Sequence, residues 1–326
     1  MTKILITGSS GYIGNCLFQY LFSKNLNVVG VDKSILLPTK NNFKLNLLNE
    51  NKLDKLLKKI KPEIIIHLAA QSLVDENISK KKYLDNNNQV TQNLIKSMKK
   101  NNIKNIIFSS TAAVYKSKNK PIFEYDKLAP KSNYAKSKLF CENLIKKEKH
   151  INYIILRFFN VCSALKMNKI FGEFHNPETH LIPTVLYKSI MRQKILVYGN
   201  KFNTYDKTCV RNYVHIQDIC ESIFKSIKYL KHKNKSSIFN IGSKLNYSVF
   251  EIIEKCQNLL NVKIKFKITD KRPGDTDYLS CNINKAKLYL NWSPKKSSIK
   301  KILMDEKKWI DFFTSKGLKR RFKNYS

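Results

Sequence analysis

The chain has 326 residues, 42% of them hydrophobic, and its 61 lysine and arginine residues against 24 acidic ones give a formal net charge of +37. This length suits one large domain or two smaller ones, and no apolar run reaches the ~18 residues of a membrane-spanning helix. The seven scattered cysteines form no Cys-x-x-Cys pair, and the six histidines lack metal-ligand spacing with them, so we expect a cytoplasmic protein without disulfides, metal or membrane contact.

The excess positive charge is nearly all lysine and is spread along the whole chain. Pairs such as Lys58-Lys59 and Lys99-Lys100 are expected at helix ends or on polar helix faces, where water surrounds them. Proteins that bind nucleic acid specifically usually concentrate arginine and exposed aromatic residues on one face. We therefore predict no specific nucleic-acid partner, although non-specific adhesion to RNA at low salt is expected.

A strand predicted at residues 3–7 leads directly into the turn Gly8-Ser9-Ser10-Gly11-Tyr12-Ile13-Gly14 and then into a helix. Such a turn uses one glycine for a sharp bend, one for close approach to a pyrophosphate and one for packing of the helix on the sheet. The helix N-terminus offers free N–H groups and partial positive charge to phosphates. The turn therefore predicts a dinucleotide-binding site.

The second predicted strand, at residues 28–32, ends in Asp32. This carboxylate lies about 20 residues beyond the turn, where it can bind both hydroxyls of an adenosine ribose. It would repel a 2′-phosphate, so Asp32 favours NAD over NADP as the cofactor.

Strand-like and helix-like segments alternate through the first half of the chain. Alternation with unbroken apolar strands predicts a Rossmann-type α/β fold, a doubly wound parallel sheet with helices on both faces. The other predicted strands lie at 64–68, 105–109 and 153–158, and the predicted helices at about 12–24, 50–60, 80–100 and 133–149.

The alternation ends after Asn160. Residues 161–211 are expected to be irregular, and residues 238–326 to mix short strands and helices. We therefore expect a cofactor-binding Rossmann domain at 1–163, to which residues 212–237 return, and a smaller mixed α/β substrate-binding lobe at 164–326.

Tyr134 and Lys138 are spaced i, i+4, which places them on one face of the helix predicted at 133–149. A phenol with an ordinary pKa near ~10 is a poor base at neutral pH, and a neighbouring cation lowers that pKa. Thr111 follows the strand at 105–109, and its hydroxyl can hydrogen-bond the same substrate oxygen as Tyr134. We predict an acid/base site of these three residues, to which bound NAD⁺ adds a second positive charge.

The glycine turn, the Ser109-Ser110-Thr111 strand end and the Tyr134/Lys138 pair resemble the extended short-chain dehydrogenase/reductase superfamily. Further segments, running nearly end to end, are similar to one family within it, the UDP-glucose 4-epimerases. These segments are Arg157-Phe158-Phe159-Asn160, Pro177-Glu178-Thr179-His180-Leu181-Ile182-Pro183, Cys209-Val210-Arg211-Asn212-Tyr213-Val214-His215, Asn240-Ile241-Gly242, Arg272-Pro273-Gly274-Asp275 and Asn291-Trp292.

The resemblance implies a role for each site residue. Tyr134 would be the acid/base for the sugar 4-hydroxyl, Lys138 would tune it and hold the nicotinamide ribose, and Thr111 would orient the hydroxyl. The implied NAD contacts are Gly8, Gly11, Tyr12, Ile13, Gly14, Asp32, Asn46, Leu68, Ala69, Ala70, Asn86, Lys138 and Phe158. The implied UDP-sugar contacts are Arg211 and Arg272 on the diphosphate, Asp275 on the uridine ribose, Asn160, His180, Leu181, and Leu279 near the sugar C2 substituent.

The residues after Thr111 indicate which reaction to expect. Related dehydratases and decarboxylases need an additional carboxylate there, whereas this chain has Ala112 and Ala113. A site with one tyrosine acid/base moves a hydride from C4 to NAD⁺ and back, which is 4-epimerisation of a UDP-hexose, UDP-galactose to UDP-glucose, through a 4-keto intermediate.

Two alternatives stay open. One is the same reaction on another UDP sugar, UDP-N-acetylglucosamine or UDP-glucuronate, since the intermediate bulk of Leu279 does not decide the substrate. The other is a fold that has lost catalysis and binds RNA through its basic surface, against which the intact Thr111, Tyr134 and Lys138 argue.

The chain departs from the family pattern at Asn46 and Asn212, where aspartate is usual, and at Lys116 and Ser163, where glycine is usual. Lys116 and Asn212 are expected to affect the geometry of the substrate loops. The resemblance also implies a homodimer that pairs two helices of each subunit. Here these are the helices around 84–100, with Val90, Leu94 and Met98 facing inward, and 134–148.

Overall fold

A seven-stranded parallel sheet forms the centre of the chain in the computed structural model, which describes residues 2–35, 41–73, 78–175, 177–272 and 274–318. Within these residues the strands are β1 (Lys3–Thr7), β2 (Asn27–Asp32), β3 (Asn42–Lys44), β4 (Ile64–His67), β5 (Asn105–Thr111), β6 (Asn152–Phe158), β7 (Asn160–Cys162), β8 (Leu165–Lys166), β9 (Ile170–Phe171), β10 (Ile195–Tyr198), β11 (Val210–His215), β12 (Ser237–Ile241), β13 (Asn246–Ser248), β14 (Phe266–Thr269) and β15 (Tyr278–Leu279).

The helices of the described residues are α1 (Tyr12–Ser23), α2 (Glu50–Ile60), α3 (Lys80–Tyr83), α4 (Val90–Lys100), α5 (Asn133–Lys147), α6 (Leu181–Ile190), α7 (Ile216–Lys233), α8 (Val249–Leu260), α9 (Asn284–Leu290) and α10 (Ile299–Ser315). A π-helical stretch at Leu84–Gln89 joins α3 to α4, and a 3₁₀ turn at Ala112–Val114 follows β5.

The strand order of the central sheet is β12-β6-β5-β4-β1-β2-β3, and all neighbouring strands are parallel. The order reverses beside β1, and open sheets of this kind bind ligands at such a reversal, beyond the carboxyl ends of the strands. All four residues of β4 are buried, as expected for a strand covered on both faces. The topology confirms the predicted Rossmann-type doubly wound fold.

Helices cover both faces of the sheet, and each face has its own apolar core. On one face, Leu17 of α1 and Ile219 of α7 belong to a single buried cluster. On the other face, Leu57 of α2, Leu94 of α4 and Ile145 of α5 form the second cluster. The apolar face of each of these helices is therefore buried against the sheet, and the lysines of α2, α4, α5 and α7 lie mainly on the opposite, polar faces.

Most of the remaining elements form the smaller mixed lobe that the sequence predicts, whereas α9 packs against α7 and β12 of the central domain. Its largest sheet joins β13, β11 and β15, with β7 pairing to β11, while β10 pairs with β14 and β8 with β9. Helices α6, α8 and α10 enclose a third apolar core, which includes Leu186, Ile253 and Phe313. Between β11 and β13 of this lobe, the chain returns to the central sheet through α7 and β12.

The expectation that residues 161–211 are irregular is wrong, because they include α6 and β10. Leu181, Ile182, Val185 and Leu186 have helical spacing, but Pro183 interrupts the pattern. Proline is tolerated in a first turn, where backbone N–H groups have no intrahelical partner.

Two smaller differences concern the edge of the sheet and the helix predicted at 80–100. The three residues of β3 have no apolar run, and β3 pairs with β2 at the sheet edge. The predicted helix is interrupted by its π-helical stretch, a feature often found near functional sites. None of the helices in the described part of the chain combines the length and apolarity needed to cross a bilayer.

Candidate active site

A cavity of about 710 Å³ lies beyond the carboxyl ends of the central strands and is closed on the other side by the lobe. Every cofactor, catalytic and substrate residue predicted from the sequence lines it. The walls contributed by the sheet carry the glycine turn, Asp32, Thr111 and Tyr134, and the lobe contributes residues such as Arg211. Segments distant in sequence therefore meet in one space, while Pro273 of the predicted Arg-Pro-Gly-Asp segment lies outside the described residues.

The three glycines of the turn differ in how much room a side chain would have. Gly8 has φ +73°, and a Cβ there would lie 2.7 Å from the backbone nitrogen of Ala69. A Cβ on Gly14 would lie 2.0 Å from the carbonyl oxygen of Gly8, whereas one on Gly11 would meet that same oxygen at an ordinary 3.4 Å. Gly8 and Gly14 are thus required by the fold, whereas at Gly11 the backbone faces the cavity without a side chain over it.

Asp32 is held at the end of β2 by backbone donors. The Ser10 N–H donates to its Oδ2 at 3.0 Å, and the Ser34 N–H donates to its Oδ1 at 3.1 Å. These bonds fix the carboxylate on the cavity wall beside the glycine turn, where the sequence predicted a ribose-binding acid.

Tyr134 lies in the first turn of α5, which Ser132 caps by accepting the Ala135 N–H at 3.2 Å. Burial raises the pKa of Tyr134 to about 12, and a hydrogen bond with Thr111 opposes that rise. The hydroxyl groups of Tyr134 and Thr111 are thus neighbours in the cavity, as the sequence predicted.

The Lys138 ammonium is buried beneath the same site. Its Nζ donates to the carbonyl oxygen of Ser109 at 2.8 Å and lies 4.8 Å from the centre of the Phe108 ring. Burial lowers the pKa of Lys138 to about 8. The pKa of Tyr134 is therefore raised by burial in spite of this neighbouring lysine, whose ammonium donates to the Ser109 carbonyl oxygen.

A buried ion pair behind the predicted catalytic residues was not foreseen from the sequence. Arg157 of β6 donates from Nε to Glu142 Oε1 at 2.9 Å and from Nη2 to Oε2 at 2.7 Å. The Ser110 hydroxyl, next to Thr111, donates to the same Glu142 Oε1 at 2.5 Å. An arginine within an otherwise apolar buried strand was the available signal, because a buried charge needs a buried partner. The pair ties α5 to the ends of β5 and β6.

Two arginines of the lobe share one carboxylate. Arg211 Nη2 lies 3.2 Å from Asp275 Oδ1, and Arg272 Nε lies 3.3 Å from Asp275 Oδ2. Arg211 also donates to the carbonyl oxygen of Thr276 at 2.7 Å, and the Arg272 guanidinium lies 4.9 Å from the centre of the Tyr198 ring. Asp275 therefore fixes the spacing of two guanidinium groups on the cavity wall.

The departures at Asn212 and Ser163 have structural partners of their own. Asn212 is fully buried, its Nδ2 donates to oxygens of Ser243, Leu245 and Asn246 at 3.0 Å, and its Oδ1 accepts the Ser243 N–H. Ser163 has φ +80°, which accounts for glycine in the family, and its hydroxyl donates to the carbonyl oxygen of Ile302.

The other two departures lie at different distances from the site. Asn46 lines the cavity and accepts the Leu48 N–H at 3.1 Å, whereas Lys116 lies outside the cavity lining with an exposed side chain.

The predicted residue His180 immediately precedes α6. Its Nδ1 lies 3.0 Å from Glu173 Oε1 and 3.1 Å from Glu178 Oε1, and His175 Nδ1 lies 2.7 Å from the same Glu173 oxygen. No metal site was expected from the sequence, and Glu173 and His175 were not among the predicted site residues. The available signal was the alternation of acid and histidine over residues 173–180.

Comparison with known proteins gives similarities along nearly the whole chain. Residues 4–242 match the model of the NAD dependent epimerase/dehydratase family. The UDP-glucose 4-epimerase of Lactobacillus helveticus is 33% identical over 94% of this chain and 96% of its own length. That of Streptococcus mutans is 34% identical over 94% of this chain and 96% of its own length. A solved UDP-glucose 4-epimerase from Bifidobacterium longum, in complex with NAD⁺ and UDP, superposes with a TM-score of 0.89 at 27% identity, over 97% of this chain and 100% of that chain.

Proposed function

The chain belongs to the NAD dependent epimerase/dehydratase family, and on this basis we propose that it is an NAD-dependent 4-epimerase that interconverts UDP-galactose and UDP-glucose. The observation that carries the proposal is the single cavity that joins the glycine turn, the Tyr134–Thr111 pair and the two lobe arginines.

The cofactor wall fits a dinucleotide. Gly11 is the N-cap of α1 and has no side chain, so the first N–H groups of the helix are open to a diphosphate. Asp32 stands at the end of β2 with its carboxylate fixed for a ribose. NAD, when bound, supplies the hydride acceptor and donor at C4 of the sugar, while Lys138 would hold the nicotinamide ribose.

Tyr134 would accept the proton of the sugar 4-hydroxyl and later return it. A phenol with a pKa of about 12 is rarely ionised at neutral pH, so the positive charge of the oxidised cofactor and of Lys138 must favour the phenolate. Thr111 would orient the hydroxyl through a hydrogen bond.

The lobe would hold the UDP moiety. Arg211 and Arg272 present forked guanidinium groups that match phosphate oxygens, and Asp275 keeps them together. Each Asp275 oxygen faces an arginine. We therefore propose that the main role of Asp275 is to position Arg211 and Arg272, and that any contact with the uridine ribose is secondary. A UDP anchored in this way would leave the hexose free to present either face.

The residues that follow Thr111 on the sheet side of the cavity favour epimerisation over dehydration. Ala112 and Ala113 occupy the positions after Thr111, and neither can donate or remove a second proton. Leu279 lines the cavity, but its intermediate size does not distinguish between UDP sugars, so the other UDP sugars are included in the assay.

We propose a homodimer and a cytoplasmic location. Val90, Leu94 and Met98 are buried in the core of the protomer, so pairing would use the outer surfaces of the helices, where Leu84 and Phe140 are exposed. The seven cysteines are all buried free thiols, as in a reducing compartment. The proposed division remains a cofactor domain at 1–163 with residues 212–237, and a UDP-sugar lobe at 164–326.

The test is conversion of UDP-galactose to UDP-glucose by the purified NAD-loaded protein, with Tyr134→Phe and Tyr125→Phe beside it. Tyr125 is 82% exposed and lies outside the cavity lining, so its variant is the matched control. We expect the rate to fall by about 10²–10⁴ for Tyr134→Phe and to stay unchanged for Tyr125→Phe. A wild-type protein that holds NAD and converts neither sugar, while acting on the N-acetylated or uronate sugar, would redirect the assignment.

A further inference from the structure

Four side chains in the loop before α6 bring their ligand atoms together. The carboxylates of Glu173 and Glu178 and the imidazoles of His175 and His180 each offer one atom, and these atoms all lie within 4.8 Å of one another. We propose that this cluster, named here the 173–180 cluster, binds a divalent first-row metal ion of the Zn²⁺ or Mn²⁺ class. The proposal does not require the epimerase function, although His180 is also one of the predicted UDP-sugar contacts.

The donor set matches such an ion. Both imidazoles direct Nδ1 toward the same Glu173 oxygen, at 2.7 and 3.0 Å, and Glu178 Oε1 lies 3.1 Å from His180 Nδ1. Two imidazole nitrogens with two carboxylate oxygens suit Zn²⁺, Co²⁺ and Mn²⁺ better than Ca²⁺ or Mg²⁺, which prefer oxygen ligands alone.

The burial of the two acids supports a dication. The side chains of Glu173 and Glu178 are 3% and 0% exposed, and two buried carboxylates at this separation repel each other unless positive charge compensates them. Two protonated imidazoles or one dication on neutral imidazoles can supply that charge.

Protons and metal ions would compete for His180. Metal affinity is therefore expected to increase with pH, since each ligand nitrogen must lose its proton.

The loop that carries the ligands is held in place by hydrogen bonds within it and from α10. The N–H groups of Thr179 and His180 both donate to Glu178 Oε1 at 2.9 Å. Trp309 of α10 donates from its indole N–H to the carbonyl oxygen of Glu173 at 2.6 Å. Such supporting bonds orient ligands before a metal arrives, which is a common property of metal sites.

The 173–180 cluster also borders the main cavity. Glu173, His175 and His180 line it together with Arg211 and Arg272. A bound dication would add positive charge to a wall that we propose faces phosphate groups.

The test uses the tag-free, full-length, NAD-loaded protein after dialysis against a chelator. Titration with Co²⁺ is followed by its visible d–d absorption, and Zn²⁺ uptake is measured by calorimetry and elemental analysis. We expect one equivalent bound at pH 8, and affinity reduced at least about tenfold at pH 6. His175→Asn and Glu178→Gln should each weaken binding by at least about tenfold, whereas His232→Asn, an exposed histidine on α7, should not.

Wild-type protein that takes up less than about one tenth of an equivalent of either metal would overturn the proposal, and the cluster would then be an ion-pair network only. Equal Co²⁺ affinity in wild type and in a folded His175→Asn variant would also overturn it. Circular dichroism establishes that the variants are folded, and the wild-type stoichiometry decides the matter if both fail to fold.

Discussion

Replacing Glu142 by glutamine is expected to destabilise the fold by about 3–5 kcal/mol, the usual cost of leaving a buried ion unpaired. Glutamine keeps the shape of the side chain but removes its charge and turns one acceptor into a donor. Three donors lose their full partner, namely the Ser110 hydroxyl and the Arg157 Nε and Nη2 groups. The side chain of Arg157 is 2% exposed, so water cannot replace the lost carboxylate.

The corresponding change in melting temperature follows from the size of the chain. Unfolding entropy of roughly 2.1 cal/mol/K per residue gives about 0.7 kcal/mol/K for a chain of this length. A loss of 3–5 kcal/mol therefore lowers the melting temperature by about 4–7 °C, measured by circular dichroism at fixed NAD concentration. Glu148→Gln removes a carboxylate with a 33% exposed side chain and should change stability by less than about 0.5 kcal/mol.

A double variant separates charge pairing from packing. Glu142→Leu combined with Arg157→Met replaces both ions by apolar groups of similar volume and should recover most of the lost stability. A melting temperature within about 1 °C of wild type for Glu142→Gln alone would refute the reasoning, because it would mean that Arg157 is not dependent on Glu142.

Three other changes test separate parts of the site. Gly11→Ala should weaken NAD binding but leave the melting temperature of the NAD-free protein nearly unchanged. Gly14→Ala should lower the free energy of unfolding by about 3 kcal/mol or more, because its Cβ would lie 2.0 Å from a carbonyl oxygen. Equal effects of the two substitutions on melting and on NAD titration would contradict this. The Lys138→Met variant should be more stable than the wild type, and the difference should be largest at pH 7, where the wild type buries a charged lysine. That advantage should shrink as pH rises from 8 to 10, because the folded pKa of Lys138 is about 8 and the unfolded chain then binds more protons; a pH-independent difference in melting temperature would contradict the sign. Asn212→Asp should cost about 1–3 kcal/mol in urea unfolding because aspartate cannot donate to the three oxygens that Asn212 Nδ2 contacts, and an unchanged midpoint would show that the pocket adapts.

The central sheet was predictable because its physics is local. The strands β1, β4 and β5 each contain an apolar run of three residues, and the predicted strand at 64–68 differs from β4 by one residue. Burial on both faces requires such runs, so they identify parallel strands without knowledge of their neighbours. The parallel order and the Rossmann-type fold are confirmed, whereas the roles of the site residues remain predictions.

What the sequence missed depends on contacts between distant segments. Glu142 is an ordinary polar residue of an amphipathic helix until Arg157 is placed against it, and Asp275 shows its bond to Arg211 only when the lobe folds. The pKa of Tyr134 is set by burial, which the spacing of Tyr134 and Lys138 does not report. Pairing, burial and the direction of a long side chain are properties of the assembled fold.

The chain leaves the central sheet after β6, forms the first part of the lobe, returns to the sheet with α7 and β12, and then enters the lobe a second time. A gene truncated near codon 163 would therefore encode a sheet that ends at β6, with an unpaired edge and without the Ile219 side of its core. Such a fragment is expected to aggregate through that edge. The central domain and the lobe consequently cannot be exchanged between related genes as two separate segments. Recombination would have to preserve each point at which the chain passes between the sheet and the lobe.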